Sequence, residues 1–237
     1  MPSVPVCAFS KKNRLKCPID NAPQRLPQFV RTLAKTGDIV KDVNADPLRF
    51  EAPIMGDVPL ALRRIVTGHD ASGASTVALD SPPPRSDAYR HIPGMVSRLV
   101  WATEPAQAIP FDGTDPTPAV ATFVPAASGT RFLIVTFPPD SVFLAPDFDP
   151  QAAAAENLAI SPGLAELFEE DGMHATPTVD YGIVLDGEIW LELDEGRAEL
   201  LRKHDVVVQN GTRHAWRNKS DRPATLAFVL IGARGST

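Results

Sequence analysis

The 237-residue chain predicts an all-β fold, and three observations carry that expectation. Twenty-four prolines and fifteen glycines punctuate the sequence, which suits strands joined by turns and breaks helices. Short apolar or β-branched runs recur between those breakers. From Gly172 onward, Asp-Gly and Asn-Gly pairs close a regular series of alternating segments, the pattern of hairpins that curl into a barrel or sandwich. Hydrophobic residues at 43% and charged residues at 22% are ordinary for a globular chain, and a net charge of −6 argues against a nucleic-acid partner.

Residues 1–50 mix prolines, charges and scattered apolar residues, with a weak helical stretch from Leu26 to Leu33, and read as a tail or arm. Lys11, Lys12, Arg14 and Lys16 form a small basic run, but Pro2, Pro5 and Pro18 spoil an amphipathic helix, so a solvated tail is expected. Cys7 and Cys17 cannot make a disulfide framework or a zinc ribbon. No stretch reaches eighteen apolar residues and the N-terminus lacks the apolar core of a secretory signal, so a cytoplasmic location without membrane contact is expected.

Residues 51–147 form a β-rich region. Strands are expected at Ala61 to Val66, Thr76 to Leu79, Ser97 to Ala102, Val120 to Val124, Arg131 to Phe137 and Ser141 to Ala145. Gly68-His69-Asp70 and Ser81 to Pro84 supply turns. His69, His91 and His204 read as turn or loop residues, and Trp101 and Trp190 as packing residues. This region is a conceivable degenerate half of a duplicated barrel. One or two short helices follow: an alanine-rich run from Gln151 to Leu158, and a helix capped by Ser161 with Pro162 at its first position and Leu164, Leu167 and Phe168 at helical spacing.

Residues 148–237 carry the barrel proper. Segments at Thr176 to Leu185, Glu188 to Asp194, Arg197 to Leu201, Val206 to Gln209, Thr212 to Asn218 and Ala224 to Ile231 read as strands. A period of two sorts the first by chemistry: His174, Thr176, Thr178 and Asp180 share one face, and Val179, Tyr181, Ile183 and Leu185 the other. In the fifth, Arg213 and Arg217 face water, which turns His214, Trp216 and Asn218 inward. Two inward faces bearing histidines, a carboxylate and an indole predict a pocket. The apolar outer face of the Asp180 strand needs a cover, from the upstream β-region or from a second subunit, so a homodimer is expected.

The run His174-x-Thr176-x3-Asp180-x6-Gly187 resembles the first motif of the cupins, and Gly211-x2-His214-x3-Asn218 the end of their second. Arg63 to Asp70 and Leu99 to Thr103 resemble segments of a subgroup of small cupin proteins, some from fungal and bacterial polyketide pathways, described as oxidoreductases or cyclase-like enzymes. The resemblance implies a cupin double-stranded β-helix, a jelly-roll-like barrel with an N-terminal β-rich extension. It also implies a divalent metal held by histidines and a glutamate. Here Thr176 stands for the second histidine, Asp180 for the glutamate and His204 for a turn glycine, leaving His174, Asp180 and His214 as candidate ligands.

Three chemistries suit those residues. Two imidazoles and one carboxylate meet the ligand count of an open iron, zinc or manganese site. Without a metal, His174 and His214 act as acid and base with Asp180 beside them, which suits dehydration, decarboxylation, cyclisation or isomerisation of a small carbonyl-containing or aromatic metabolite. Thr176, Thr178, Trp216 and Asn218 would then line the substrate. The alternative to an enzyme is a small-molecule-binding cupin without turnover.

Overall fold

The computed structural model describes residues 62–234. The expectations for residues 1–50, including the helix at Leu26 to Leu33, lie outside them. The described strands are β1 (Arg64–His69), β2 (Ser75–Ser81), β3 (Arg85–Ala88), β4 (Val96–Thr103), β5 (Thr130–Phe137), β6 (Thr178–Asp186), β7 (Glu188–Leu193), β8 (Ala198–Arg202), β9 (Val206–Asn210), β10 (His214–Arg217) and β11 (Ala224–Gly232). A single α-helix among the described residues, α1 (Pro150–Ile160), lies between β5 and β6. No described helix is long and apolar enough to cross a membrane.

A six-stranded antiparallel sheet in the order β3-β4-β5-β11-β6-β9 faces a three-stranded sheet in the order β10-β7-β8, and β1 and β2 form a separate hairpin. β11 lies between β5 and β6 and pairs with both along most of its length. Its alternation turns Leu226, Phe228 and Leu230 inward, where they meet Leu99, Leu133, Val135, Val184 and Ile189. Each such buried side chain contributes roughly 1.5–3 kcal/mol, so this cluster between the sheets is the main source of stability.

Residues 62–234 lie within one compact unit. The upstream region contributes β4 and β5 to the sheet that holds β6 and β11. For the same reason it does not cover the outer face of β6: Tyr181, Ile183 and Leu185 are exposed, together with Val206 and Val208 of β9.

Three expected elements differ. Val120 to Val124 is not a strand, because its carbonyls go to arginines: Arg85 Nη1 donates to Val120 O at 2.8 Å and Arg131 Nε to Thr122 O at 3.0 Å. Phe123 fills the core instead. Ser141 to Ala145 lies within and just beyond a 3-10 helix, Asp140–Leu144, locked to β10's end by reciprocal bonds between Asp140 and Asn218. Ser161 ends α1 and does not begin a helix; the true N-cap is Asp149, whose carboxylate accepts from the Gln151 and Ala152 amides at 3.0 Å. Gly163, at φ +81°, stops a helix from starting at Ser161, and only a 3-10 turn at Ala165–Leu167 follows.

Two motif positions test the fold from opposite sides. Gly187 holds φ +75°, and a Cβ there would lie 2.7 Å from Pro223 O; Gly187→Ala is expected to cost about 2 kcal/mol. His204 holds φ +77° with a side chain, so His204→Gly is expected to gain about 0.5 kcal/mol, its amide bond to Val184 O being kept. Denaturant midpoints of the two variants check both signs.

Candidate functional site

The centre of the site is an isolated antiparallel bridge between His174 and His214. His174 N donates to His214 O, and His214 N to His174 O, each at 2.9 Å. Directly opposed residues in such a pair send their side chains to the same face. Both rings are therefore driven into the barrel with their centroids 4.3 Å apart. The strand expected to run unbroken from His174 through Asp180 is interrupted here: β6 begins only at Thr178, and Pro177 before it has no amide to pair.

The rings open on a cavity of about 630 Å³ between the sheets. Its walls are mainly apolar, with Phe123, Leu133, Phe137, Phe228 and Leu230 from the core side and Phe143, Phe148 and Phe168 towards the solvent. Its polar lining includes His174, Thr176, Asp180, Gln209 and His214. Trp216 carries the apolar wall on from His214, at 5.8 Å and 81° between their rings, to Phe228 at 5.3 Å.

His214 Nδ1 lies 2.9 Å from Thr212 O. A carbonyl can only accept, so the neutral ring carries its proton on Nδ1 and presents a bare lone pair at Nε2. His174 is stacked under Phe168, at 4.1 Å between centroids and 21° between planes, and its Nδ1 is buried without a partner. Burial, then the neighbouring His214, lowers the His174 pKa from 6.5 to about 4, against a smaller opposing effect of the Gly172 carbonyl. Burial also lowers the His214 pKa, against its bond to Thr212. Asp180 moves upward because burial disfavours the carboxylate, while the Thr178 and Thr176 hydroxyls work the other way.

Six of the seven residues expected at the site line this one cavity: His174, Thr176, Asp180, His214, Trp216 and Asn218. Thr178 does not; its hydroxyl bonds Thr176 Oγ1 at 2.6 Å behind the wall. The Asn218 amide is taken up by the end of β5 and by its own turn, donating to Phe137 O and Arg222 O and accepting from the Ser220 amide and hydroxyl. Gln209 and Phe168 were not expected. Gln209 had a signal, a polar residue at an inward position after Val206 to Val208, whereas Phe168 reaches the site from a loop that no period encodes.

The expected three-ligand metal centre does not fit this arrangement. Among the described residues no group of three or more His, Cys, Asp or Glu side chains is placed to hold one ion.

Two facing antiparallel sheets around a histidine-bearing cavity define a double-stranded β-helix protein. No protein-family model matches the chain. It is 34% identical over 178 residues to phomopsin biosynthesis cluster protein D of Diaporthe leptostromiformis, covering 72% of this chain and 78% of that protein. Over 65 residues it is 37% identical to the cupin-domain-containing oxidoreductase virC of Hypocrea virens, 26% of this chain and 34% of that one. A solved cupin-2 domain from an Enterobacter cloacae transcriptional regulator aligns at 14% identity and a TM-score of 0.31, over 60% of this chain and 99% of that one. The chain belongs to the cupins, in the group of cupin-domain proteins from fungal secondary-metabolite clusters.

The depressed His174 pKa makes a stability prediction. Between pH 6.5 and about 4 the unfolded chain binds a proton that folded His174 refuses, so stability falls as the pH drops through that window. The loss is up to about 3 kcal/mol, and Asp180, which holds its proton better folded than unfolded, offsets part of it. Urea midpoints at pH 7 and pH 4.5 are expected to differ more for the parent than for His174→Gln.

Proposed function

We propose that the protein is an enzyme of secondary metabolism that moves a proton on a small carbonyl-containing or aromatic metabolite, with His214 as the base. The single observation behind this reading is the His214 Nδ1 bond to Thr212 O, which leaves the Nε2 lone pair free in a largely apolar cavity. Nε2 takes a proton from the carbon next to the substrate carbonyl and becomes an imidazolium N–H; the electron pair of the broken C–H bond passes to the carbonyl oxygen. Asp180 shares the cavity wall with His214, and burial raises its pKa, which eases the protonation it needs to donate a hydrogen bond to that oxygen. The imidazolium then returns the proton at another atom. Return at a distant carbon gives isomerisation, return to a leaving hydroxyl gives dehydration, and attack of the enol carbon on a second carbonyl gives cyclisation.

His174, neutral across the physiological range, adds no charge to compete with the imidazolium formed on His214. Phe168 packs on the His174 ring and Trp216 on the His214 ring, and the burial of both imidazoles strengthens each polar contact inside. Oxidoreductase chemistry is the second reading, favoured by the names of cupin-domain relatives that match about a third of this chain or less. The two part on the product: proton movement leaves the oxidation state of the substrate unchanged.

β-Naphthylacetone, a neutral aromatic ketone with acidic C–H bonds beside its carbonyl, is a suitable probe. In deuterated water the parent protein is expected to accelerate exchange of those hydrogens, and His214→Gln to lose about a hundredfold or more of the acceleration. Exchange no faster than in buffer, or equal rates for parent and variant, would overturn the proposal.

A further inference from the structure

Three polar atoms around the cavity are buried without any partner: His174 Nδ1, Asp180 Oδ1 and Gln209 Nε2. His174 and Asp180 already have a part in the proton transfer; Gln209 has none. It is 5% exposed and sits on β9 directly opposite Asp180 on β6. Opposed residues on paired strands hold their Cβ atoms about 5 Å apart, so amide and carboxyl reach into the same space. The Gln209 amide is also oriented. Thr212 Oγ1 donates to Oε1 at 2.7 Å, which leaves Nε2 as the donor. A buried N–H without an acceptor costs roughly 1–3 kcal/mol, a penalty relieved if a ligand supplies the oxygen.

The charges around the cavity restrict what that oxygen belongs to. Among the described residues, Asp140, Glu169, Glu170 and Asp171 are in the lining, and Arg217 is the only Lys or Arg there. Arg217 is already engaged, by Glu192 Oε2 at 2.6 Å and by the Asp171 carbonyl. A carboxylate entering this cavity would leave water for an apolar, acid-rimmed space with no cation to meet it. A ketone or aldehyde would lose little and gain the donor.

We infer that Gln209 Nε2 donates to the carbonyl oxygen of an uncharged aromatic ketone or aldehyde, and that it selects such molecules over the corresponding carboxylates. This rests on the reading of the cavity as the site of proton transfer. Gln209 then fixes the carbonyl so that the carbon beside it faces His214. It also strengthens its bond as negative charge builds on the oxygen.

Binding of β-naphthylacetone and of β-naphthylacetate, matched in size and differing in charge, tests the selection, and the infrared carbonyl stretch of the bound ketone tests the bond. The ketone is expected to bind at least tenfold tighter than the carboxylate, with its stretch shifted below the value in cyclohexane. Gln209→Met, close in shape and without a donor, is expected to weaken ketone binding about fivefold and move the stretch back upward. Thr212→Val, which removes the hydroxyl that orients the amide, is expected to weaken the shift. Should Gln209→Met not fold, the parent stretch and the Thr212→Val band decide.

An unshifted parent stretch, no ketone binding up to its solubility, or equal or tighter binding of the carboxylate would each overturn the inference. A shifted carbonyl without deuterium exchange would keep the Gln209 role and remove the proton-transfer reading. Exchange with an unshifted carbonyl would do the reverse.

Discussion

The two reciprocal backbone bonds between His174 and His214 are the constraint on which the site depends. They tie the segment before β6 to the first residue of β10, and so join the six-stranded sheet to the three-stranded one at the cavity. They also fix the rings at a separation where two positive charges would repel strongly, which helps to hold His174 neutral. Neutrality in turn makes His214 useful: a neutral imidazole with its proton on Nδ1 is a base at Nε2. Backbone pairing, ring protonation and the reaction proposed here are thus one chain of cause and effect.

The apolar walls belong to the same chain. The cavity lies beside the core cluster and shares Leu133, Phe228 and Leu230 with it, so residues that stabilise the barrel also desolvate the histidines and Asp180. Burial is the largest cause of the shift at all three groups, downward for the imidazoles and upward for the carboxyl. Where a glutamate and a second histidine stand in the resembling motif, this chain has Asp180 and Thr176, with the Thr176 hydroxyl beside the carboxyl.

Much of this was legible in the sequence because strands write their faces in a period of two. Alternation alone sent His174, Thr176, Asp180, His214 and Trp216 inward, and turn glycines and Asp-Gly pairs marked nearly every hairpin of the barrel. The misses have physical reasons. Val120 to Val124 has strand-forming side chains, yet arginines from β3 and β5 take its carbonyls, a long-range effect that no local pattern contains. Ser161-Pro162 has the chemistry of a helix start, but Tyr89 and the Asn157 carbonyl claim Ser161 for the end of α1. Gln209 had a signal in its inward parity after the three valines, whereas Phe168 arrives from a loop. Thr178 has the right parity but sits one layer behind Thr176.

Ring nitrogen chemical shifts of protein labelled with 15N-histidine test the central claim most directly, because they report tautomer and charge at each imidazole. At pH 7 the account predicts His214 neutral with its proton on Nδ1, and His174 neutral and gaining its proton only near pH 4. A protonated ring at either position at pH 7, or His214 carrying its proton on Nε2, would contradict it.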